Sequence, residues 1–194
     1  MKICVFGASS AHIDKKYITA VERLGEELAR RGHSLVFGCG GTGLMGASAR
    51  GFKSGGGYIH GIVPSFFRDE GVEQLFPDCD KITYTKTMSE RKQLMEDEAD
   101  AFIIVPGGIG TFEEFFEVLT LKQLGRHDKA IAVFNVDGYY DNLEKFMREV
   151  AERKFITFAC YELYSYFNSV EETVNYIESY KPTGTPWQKR KIED

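Results

Sequence analysis

Between Lys2 and Tyr180 the hydrophobic periodicity changes in kind repeatedly, short apolar runs giving way to stretches whose apolar positions recur at helical spacing. Residues 2–6 read as a buried strand, and residues 14–31 as a helix that sets Tyr17, Ile18, Val21, Leu24 and Leu28 on one face and stops at Gly32. Residues 34–37, 58–63, 81–85, 101–105 and 129–136 read as further strands, with helices at 44–53, 88–98, 111–124 and 139–154. Residues 161–167 read as a short edge segment and 170–180 as a closing helix. Strands separated by helices cannot pair through tight hairpins, so they form parallel βαβ units with right-handed crossovers and helices on both faces. The expected fold is α/β, a Rossmann-like doubly wound parallel sheet forming a single domain over residues 1–180. Residues 181–194, with Pro182, Gly184, Pro186 and a basic cluster but no periodicity, are expected to be a mobile tail.

Composition narrows the function classes. A chain of 194 residues fits one domain, and 43% hydrophobic content with 15 Phe and 10 Tyr is enough to bury a core. The balance of 24 basic against 29 acidic residues, a net charge of −5, argues against coating nucleic acid or an anionic membrane. Cys4, Cys39, Cys79 and Cys160 are far apart with no CxxC pair, so neither a zinc ribbon nor a disulfide framework is indicated, and a reducing cytoplasm is expected. The apolar start at residues 3–6 is too short for a signal-peptide core, and no run approaches the ~18 apolar residues of a membrane span. His12, His33, His60 and His127 form no ligand pair, so no metal is expected. No cofactor is expected either.

The 20 glycines in 194 residues exceed the usual ~7% and are clustered. Residues 38–43, GCGGTG, satisfy GxGxxG between a strand and a helix. A dinucleotide site would also need an acidic residue at the end of the next strand, yet that strand ends Gly61-Ile62-Val63-Pro64. The turn also follows the second strand, not the first, which excludes NAD and FAD; the absence of any GK dipeptide excludes a P-loop. What survives is a bare turn, including Gly40, that can approach an anionic ligand before a helix N-terminus, or one that only permits tight turning. The second cluster, PGGIGTFEE at residues 106–114, directly follows an apolar strand and so lies at the carboxyl edge where open α/β sheets bind ligands. Gly107, Gly108 and Gly110 leave amides unobstructed, and the Thr111 hydroxyl at the helix start suits a phosphate. Glu113 and Glu114 follow at once. They either complement the helix dipole or act on a part of the ligand away from the phosphate. Thr87-Met88-Ser89-Glu90 resembles a capping box, which puts Arg91 and Lys92 near a helix start where cations are mildly unfavourable. The pair is either a solvated surface feature or compensated by a phosphate ester.

These residues resemble one known family, the LOG ("lonely guy") cytokinin riboside 5'-monophosphate phosphoribohydrolases. PGGIGTFEE is similar to that family's PGGxGTxxE motif, and MSERK at residues 88–92 to the helix start bearing its Arg-Lys pair. GCGGTGLMG at residues 38–46 is similar to its GGGxxGLMG turn; residues 61–64, 124–129 and NVDGYY at 135–140 also match. The resemblance covers residues 1–180. It implies hydrolysis of the N-glycosidic bond of a nucleoside 5'-monophosphate, a cytokinin riboside 5'-monophosphate or an AMP-like one, to free base and ribose 5-phosphate, a step of cytokinin biosynthesis. By position it implies that Arg91 and Glu114 are catalytic. Around the nucleotide it implies Ser9, Gly40, Met88, Lys92, Gly107, Gly108, Ile109, Gly110, Thr111, Phe112, Glu113 and Thr120. Cys39 stands where the family usually has Gly, Ile109 where Tyr is frequent and Phe112 where Leu is frequent, departures that bear on base preference.

Breaking a ribosyl C–N bond builds positive charge on the sugar, which a carboxylate such as Glu114 can stabilise, or it can orient the attacking water. A guanidinium stays protonated in proteins, so Arg91 holds phosphate or steadies the departing base and is not the general acid. Family members have also carried the label lysine decarboxylase, a chemistry that needs a Schiff-base lysine in a cofactor site; Lys92 is better placed as a phosphate contact. The rivals are a non-catalytic carrier of a nucleotide or of molybdenum cofactor on a similar fold, which has no use for Glu114, and a single-stranded DNA binder, which the charge disfavours. The helix after PGGIG is expected to dock on its sheet through Phe112, Phe115, Phe116 and Leu119. Val118 and Leu121, with Leu124, are expected to lie across it in a homodimer contact, which the resemblance also implies.

Overall fold

The computed structural model describes residues 1–71 and 74–182. Strands β1 (Lys2–Phe6), β2 (Ser34–Phe37), β3 (Ile59–Pro64), β4 (Lys81–Thr85), β5 (Ala101–Ile104), β6 (Ala130–Phe134) and β7 (Ser165–Phe167) form one sheet in the order β4-β3-β2-β1-β5-β6-β7. Every neighbouring pair is parallel. Helices α1 (Lys15–Arg30), α2 (Gly43–Ser54), α3 (Ser65–Asp69), α4 (Met88–Glu98), α5 (Ile109–Gln123) and α6 (Asp141–Glu152) lie in the connections, and α7 (Val170–Ser179) follows β7. This is the doubly wound Rossmann-like sheet that the alternating periodicity implies.

Two cores follow from the pleat. Side chains alternate across a strand, so Ile3 and Val5 of β1 face one side and Cys4 and Phe6 the other. The first side packs against α1, α2 and α7, the second against α4 and α5. Because both faces of the central strands are covered, they read in sequence as unbroken apolar runs. The chain winds outward from β1 through β2 to β4, then returns to place β5 on the other side of β1. Adjacent loops after β1 and β5 thus diverge at a switch point, the usual ligand crevice of such sheets.

Some details depart from the sequence reading. The segment after Pro64 opens with the five-residue α3, too short to show a period. A 3-10 helix occupies Phe158–Leu163, so only Ser165–Phe167 of the expected edge segment is strand. Helix α5 docks through Phe115, Val118, Leu119 and Lys122, so Val118 belongs to its own subunit's core and not to a partner-facing side. Phe116, expected in the docking stripe, is 36% exposed. Phe112, half-buried near the helix start, packs as expected against the same core, its ring edge-on to Tyr140 with 6.1 Å between centroids. Among the described residues no helix is long and apolar enough to cross a membrane. The expected mobile tail falls largely on residues 183–194, outside the described residues.

Candidate active site

The site is assembled from the loops after β1, β2 and β5, and hydrogen bonds tie them together. Ala8 N–H donates to the Pro106 carbonyl at 3.1 Å, and the Ala8 carbonyl accepts from Leu44 N–H at 2.7 Å and Met45 N–H at 3.2 Å. The Thr42 hydroxyl donates to the Ser9 carbonyl at 2.6 Å. The first amides of α2 are therefore spent on the protein's own chain. At α5 the bond from Phe112 N–H to the Gly108 carbonyl, 3.0 Å, starts the helical ladder. The amides of Ile109, Gly110 and Thr111 precede it and have no intrahelical acceptor. The NVDGYY segment holds this turn in place: Tyr139 donates to the Gly107 carbonyl at 2.7 Å, and Tyr140 to the Val105 carbonyl at 2.8 Å. Asn135 in turn accepts the Tyr140 N–H at 2.7 Å.

Arg91 enters from the start of α4. The Thr87 hydroxyl oxygen accepts Glu90 N–H at 3.1 Å, as in a capping box, but the Glu90 carboxylate accepts Lys86 N–H at 2.8 Å, one residue ahead of the cap. The Arg91 side chain is buried, with Cζ 5.8 Å from the Phe67 ring centroid and Nη1 3.8 Å from the Met88 sulfur. Its Nη2 lies 3.7 Å from Glu114 Oε1. A Cβ on Gly38 would stand 1.7 Å from Nη2, so the glycine is what gives the guanidinium its seat. Arg91 Nε has no hydrogen-bond partner among the described residues. A buried guanidinium with donors to spare is prepared for an acceptor that the protein does not supply.

Burial pushes the Glu114 carboxyl up to about 7, although Arg91 draws it down. Lys92 bridges Glu113 and Glu117, the latter at 2.8 Å. Burial works against the Lys92 charge, but these partners hold its pKa above the ordinary value. Beneath them burial, with Glu117 nearby, raises Glu96 to about 7.

A cavity of about 570 Å³ opens at this point. Ser9, Met88, Arg91, Gly108, Gly110, Thr111, Glu113 and Glu114 line it, so the segments at residues 88–92 and 106–114 converge with the loop after β1. The other anticipated residues are placed differently. Gly107 lies under the turn against Thr111, Ile109 is 89% exposed, and Phe112 is half-buried against Tyr140. Lys92 is turned toward Glu113 and Glu117, and Gly40 is buried where the first turn pairs with Leu75. Thr120 is exposed, six residues beyond Glu114 on α5 and so ~9 Å along the axis. Sequence motifs do not single out Thr42, Met45, Phe67 and Gln74, which also line the cavity. Thr42 and Met45 lie inside the recognised GCGGTGLMG segment, but Phe67 and Gln74 come from a stretch without period. Among the described residues no group of three or more His, Cys, Asp or Glu is placed to hold a metal.

Fold and site together define a Rossmann-like α/β protein whose switch-point cavity pairs a buried arginine with a partly buried carboxylate beside a glycine turn. A family model described as "Possible lysine decarboxylase" matches residues 45–177. The chain is 38% identical over 181 residues to cytokinin riboside 5'-monophosphate phosphoribohydrolase LOG3 of Arabidopsis thaliana, covering 93% of this chain and 83% of that one. It is 33% identical over 193 residues to LOG2 of the same plant, covering 100% and 90%. Among solved structures, the molybdenum cofactor carrier protein of Chlamydomonas reinhardtii superposes with a TM-score of 0.69 at 20% identity, covering 91% of this chain and 95% of that one, a likeness of fold. The chain belongs to the LOG family.

Proposed function

We propose that the protein is a nucleoside 5'-monophosphate phosphoribohydrolase, releasing a free base and ribose 5-phosphate from a cytokinin riboside 5'-monophosphate or an AMP-like nucleotide. The observation that carries this reading is the pairing of the buried Arg91 with the partly buried Glu114, 3.7 Å apart, on the wall of a 570 Å³ cavity edged by the second glycine turn. The 5'-phosphate sits on the free amides at the start of α5, where the helix dipole favours an anion. The ribose then lies one turn along the helix, beside Glu114. As the C–N bond lengthens, the Glu114 carboxylate answers the charge growing on the sugar and orients the water that replaces the base. Arg91 remains a cation throughout and steadies the departing base. A carrier on this fold would gain nothing from a carboxylate beside its arginine, which favours the enzyme.

We also propose a homodimer, resting on residues other than Val118: Ile109, Phe116 and Leu124 on and just beyond α5 are exposed apolar side chains. The cysteine spacing supports a reducing, cytoplasmic setting. The test of the activity is to incubate the purified protein with matched nucleoside 5'-monophosphates and unphosphorylated nucleosides and assay ribose 5-phosphate and free base. Monophosphates should be cleaved, and Glu114→Gln should lower kcat by roughly 100-fold or more. Equal turnover of nucleoside and nucleotide would overturn the phosphate reading, and tight nucleotide binding without cleavage would favour a carrier. Sedimentation should give twice the 22.0 kDa chain mass; a fully active monomer refutes the dimer.

A further inference from the structure

Behind the cavity wall, the first glycine turn carries a pair of sulfurs that the proposed reaction does not use. Cys39 is buried in the turn with φ 68°, a left-handed conformation that a side chain seldom takes. Cys79, half-buried just ahead of β4, brings its Sγ to 3.8 Å from the Cys39 Sγ. The two segments are already joined by backbone bonds: Gly41 N–H donates to the Gln74 carbonyl at 2.7 Å, and Phe76 N–H to the Cys39 carbonyl at 2.8 Å. Opposite them on β3 stands Gly61, where a Cβ would lie 2.6 Å from the Cys39 sulfur and 3.2 Å from the Cys79 sulfur. The missing side chain leaves a niche that both sulfurs share. Cys4 and Cys160 lie elsewhere, in the core beneath α4 and α5.

We propose that Cys39 and Cys79 are the site of a reversible intramolecular disulfide, formed by exchange with a low-molecular-weight disulfide of the oxidised glutathione class. Closing the bond brings the sulfurs from 3.8 Å to about 2.05 Å, between two segments that backbone hydrogen bonds already hold together. Cys79, the more exposed, loses its proton and attacks one sulfur of the oxidant; that S–S bond breaks, and the first glutathione leaves as a thiolate that takes up a proton. Cys39 loses its proton and attacks the Cys79 sulfur of the mixed disulfide, expelling the second glutathione, which is protonated in turn. Two protein thiols are thereby oxidised by two electrons, and one small disulfide is reduced to two thiols. The hydrogen bond to Cys39 and burial push the Cys79 thiol up, so the exchange is slow at neutral pH and quickens as the medium becomes alkaline. The product straps the segment bearing Gln74, which lines the cavity, to the turn whose Gly38 seats Arg91.

The test uses the reduced full chain, incubated folded with oxidised glutathione at neutral and at mildly alkaline pH, and is read by intact mass and peptide mapping. It is independent of the activity assay. The expected result is loss of the mass of two hydrogens, faster at the higher pH, with one cross-linked peptide pair containing Cys39 and Cys79. Dithiothreitol should reverse it, Cys79→Ser should abolish it, and Cys160→Ser should leave it intact. Stable glutathione adducts without closure, a cross-link through Cys4 or Cys160, a cross-link that forms only in urea, or no oxidation at either pH would each overturn the proposal.

Discussion

The turns at residues 38–43 and 107–110 look alike in sequence, each glycine-rich and each between a strand and a helix, yet the structure uses them in opposite ways. In the first, the space that a side chain would fill is taken by the protein itself. A Cβ on Gly43 would lie 2.4 Å from the Ala8 carbonyl oxygen, and one on Gly38 would lie 1.7 Å from Arg91 Nη2. The amides that might greet an anion there already bind Ala8. In the second, a Cβ on Gly108 or Gly110 would meet nothing within 4 Å, and both glycines face the cavity. The first turn is scaffold because the chain fills the space of the missing side chains; the second leaves that space open to the cavity, as the phosphate cradle of the proposed function requires.

Substitution with alanine separates the two turns. Gly43→Ala should have the largest effect: its φ of 58° alone costs a side chain ~1–2 kcal/mol, and the overlap with backbone of residues 8–10 cannot be relieved by a rotamer. Urea or thermal unfolding should show a severely destabilised or insoluble protein, and a variant of near wild-type stability would remove the turn from the scaffold. Gly38→Ala meets only the far end of a side chain, so the fold should persist while the guanidinium is displaced. A displacement of about 1 Å in a catalytic group can cost roughly 100-fold, which a kcat measurement on a folded variant would reveal. Gly108→Ala should unfold within ~0.5 kcal/mol of wild type and keep kcat, while KM for the nucleotide rises roughly tenfold. An unchanged KM would deny the second turn its role as cradle.

Much of this architecture is legible in the amino-acid sequence itself. β1, β2 and β4 begin and end at the residues that their residue patterns predict, and for β1 and β2 the reason is that strands covered on both faces show no alternation to blur their limits. The motifs single out both Arg91 and Glu114, but the approach of these residues to 3.7 Å depends on how α4 and α5 pack, which spacing does not encode. The phase of α5 is hidden for a physical reason. Phe112, Phe115, Phe116, Val118, Leu119 and Leu121 are apolar nearly all the way round, so periodicity cannot say which stripe docks. Phe67 is out of reach of a periodicity argument because α3 is shorter than two helical turns. Charge alone makes Lys92 a phosphate contact; only the fold reveals that Glu113 and Glu117 of α5 stand against it.

The smallest effect is the one that links the two turns. Burial beside the second turn pushes Glu114 up to about 7, while Arg91, seated by the first, pulls it down. The proposed reaction needs the carboxylate, so kcat/KM, which follows the free enzyme, should be lost as pH falls through about 7, roughly tenfold for each unit well below it. With the midpoint near 7, raising the pH from 7 to 8 should gain only a few-fold, far less than is lost on the acid side. Gly38→Ala moves the cation away and leaves burial and Glu113, both of which favour the protonated acid. Its acid limb should therefore shift to higher pH. Gly108→Ala touches neither group, and its limb should coincide with that of wild type. If all three profiles superpose, Arg91 does not govern the charge of Glu114 across 3.7 Å, and the first turn is not the seat of a catalytic arginine.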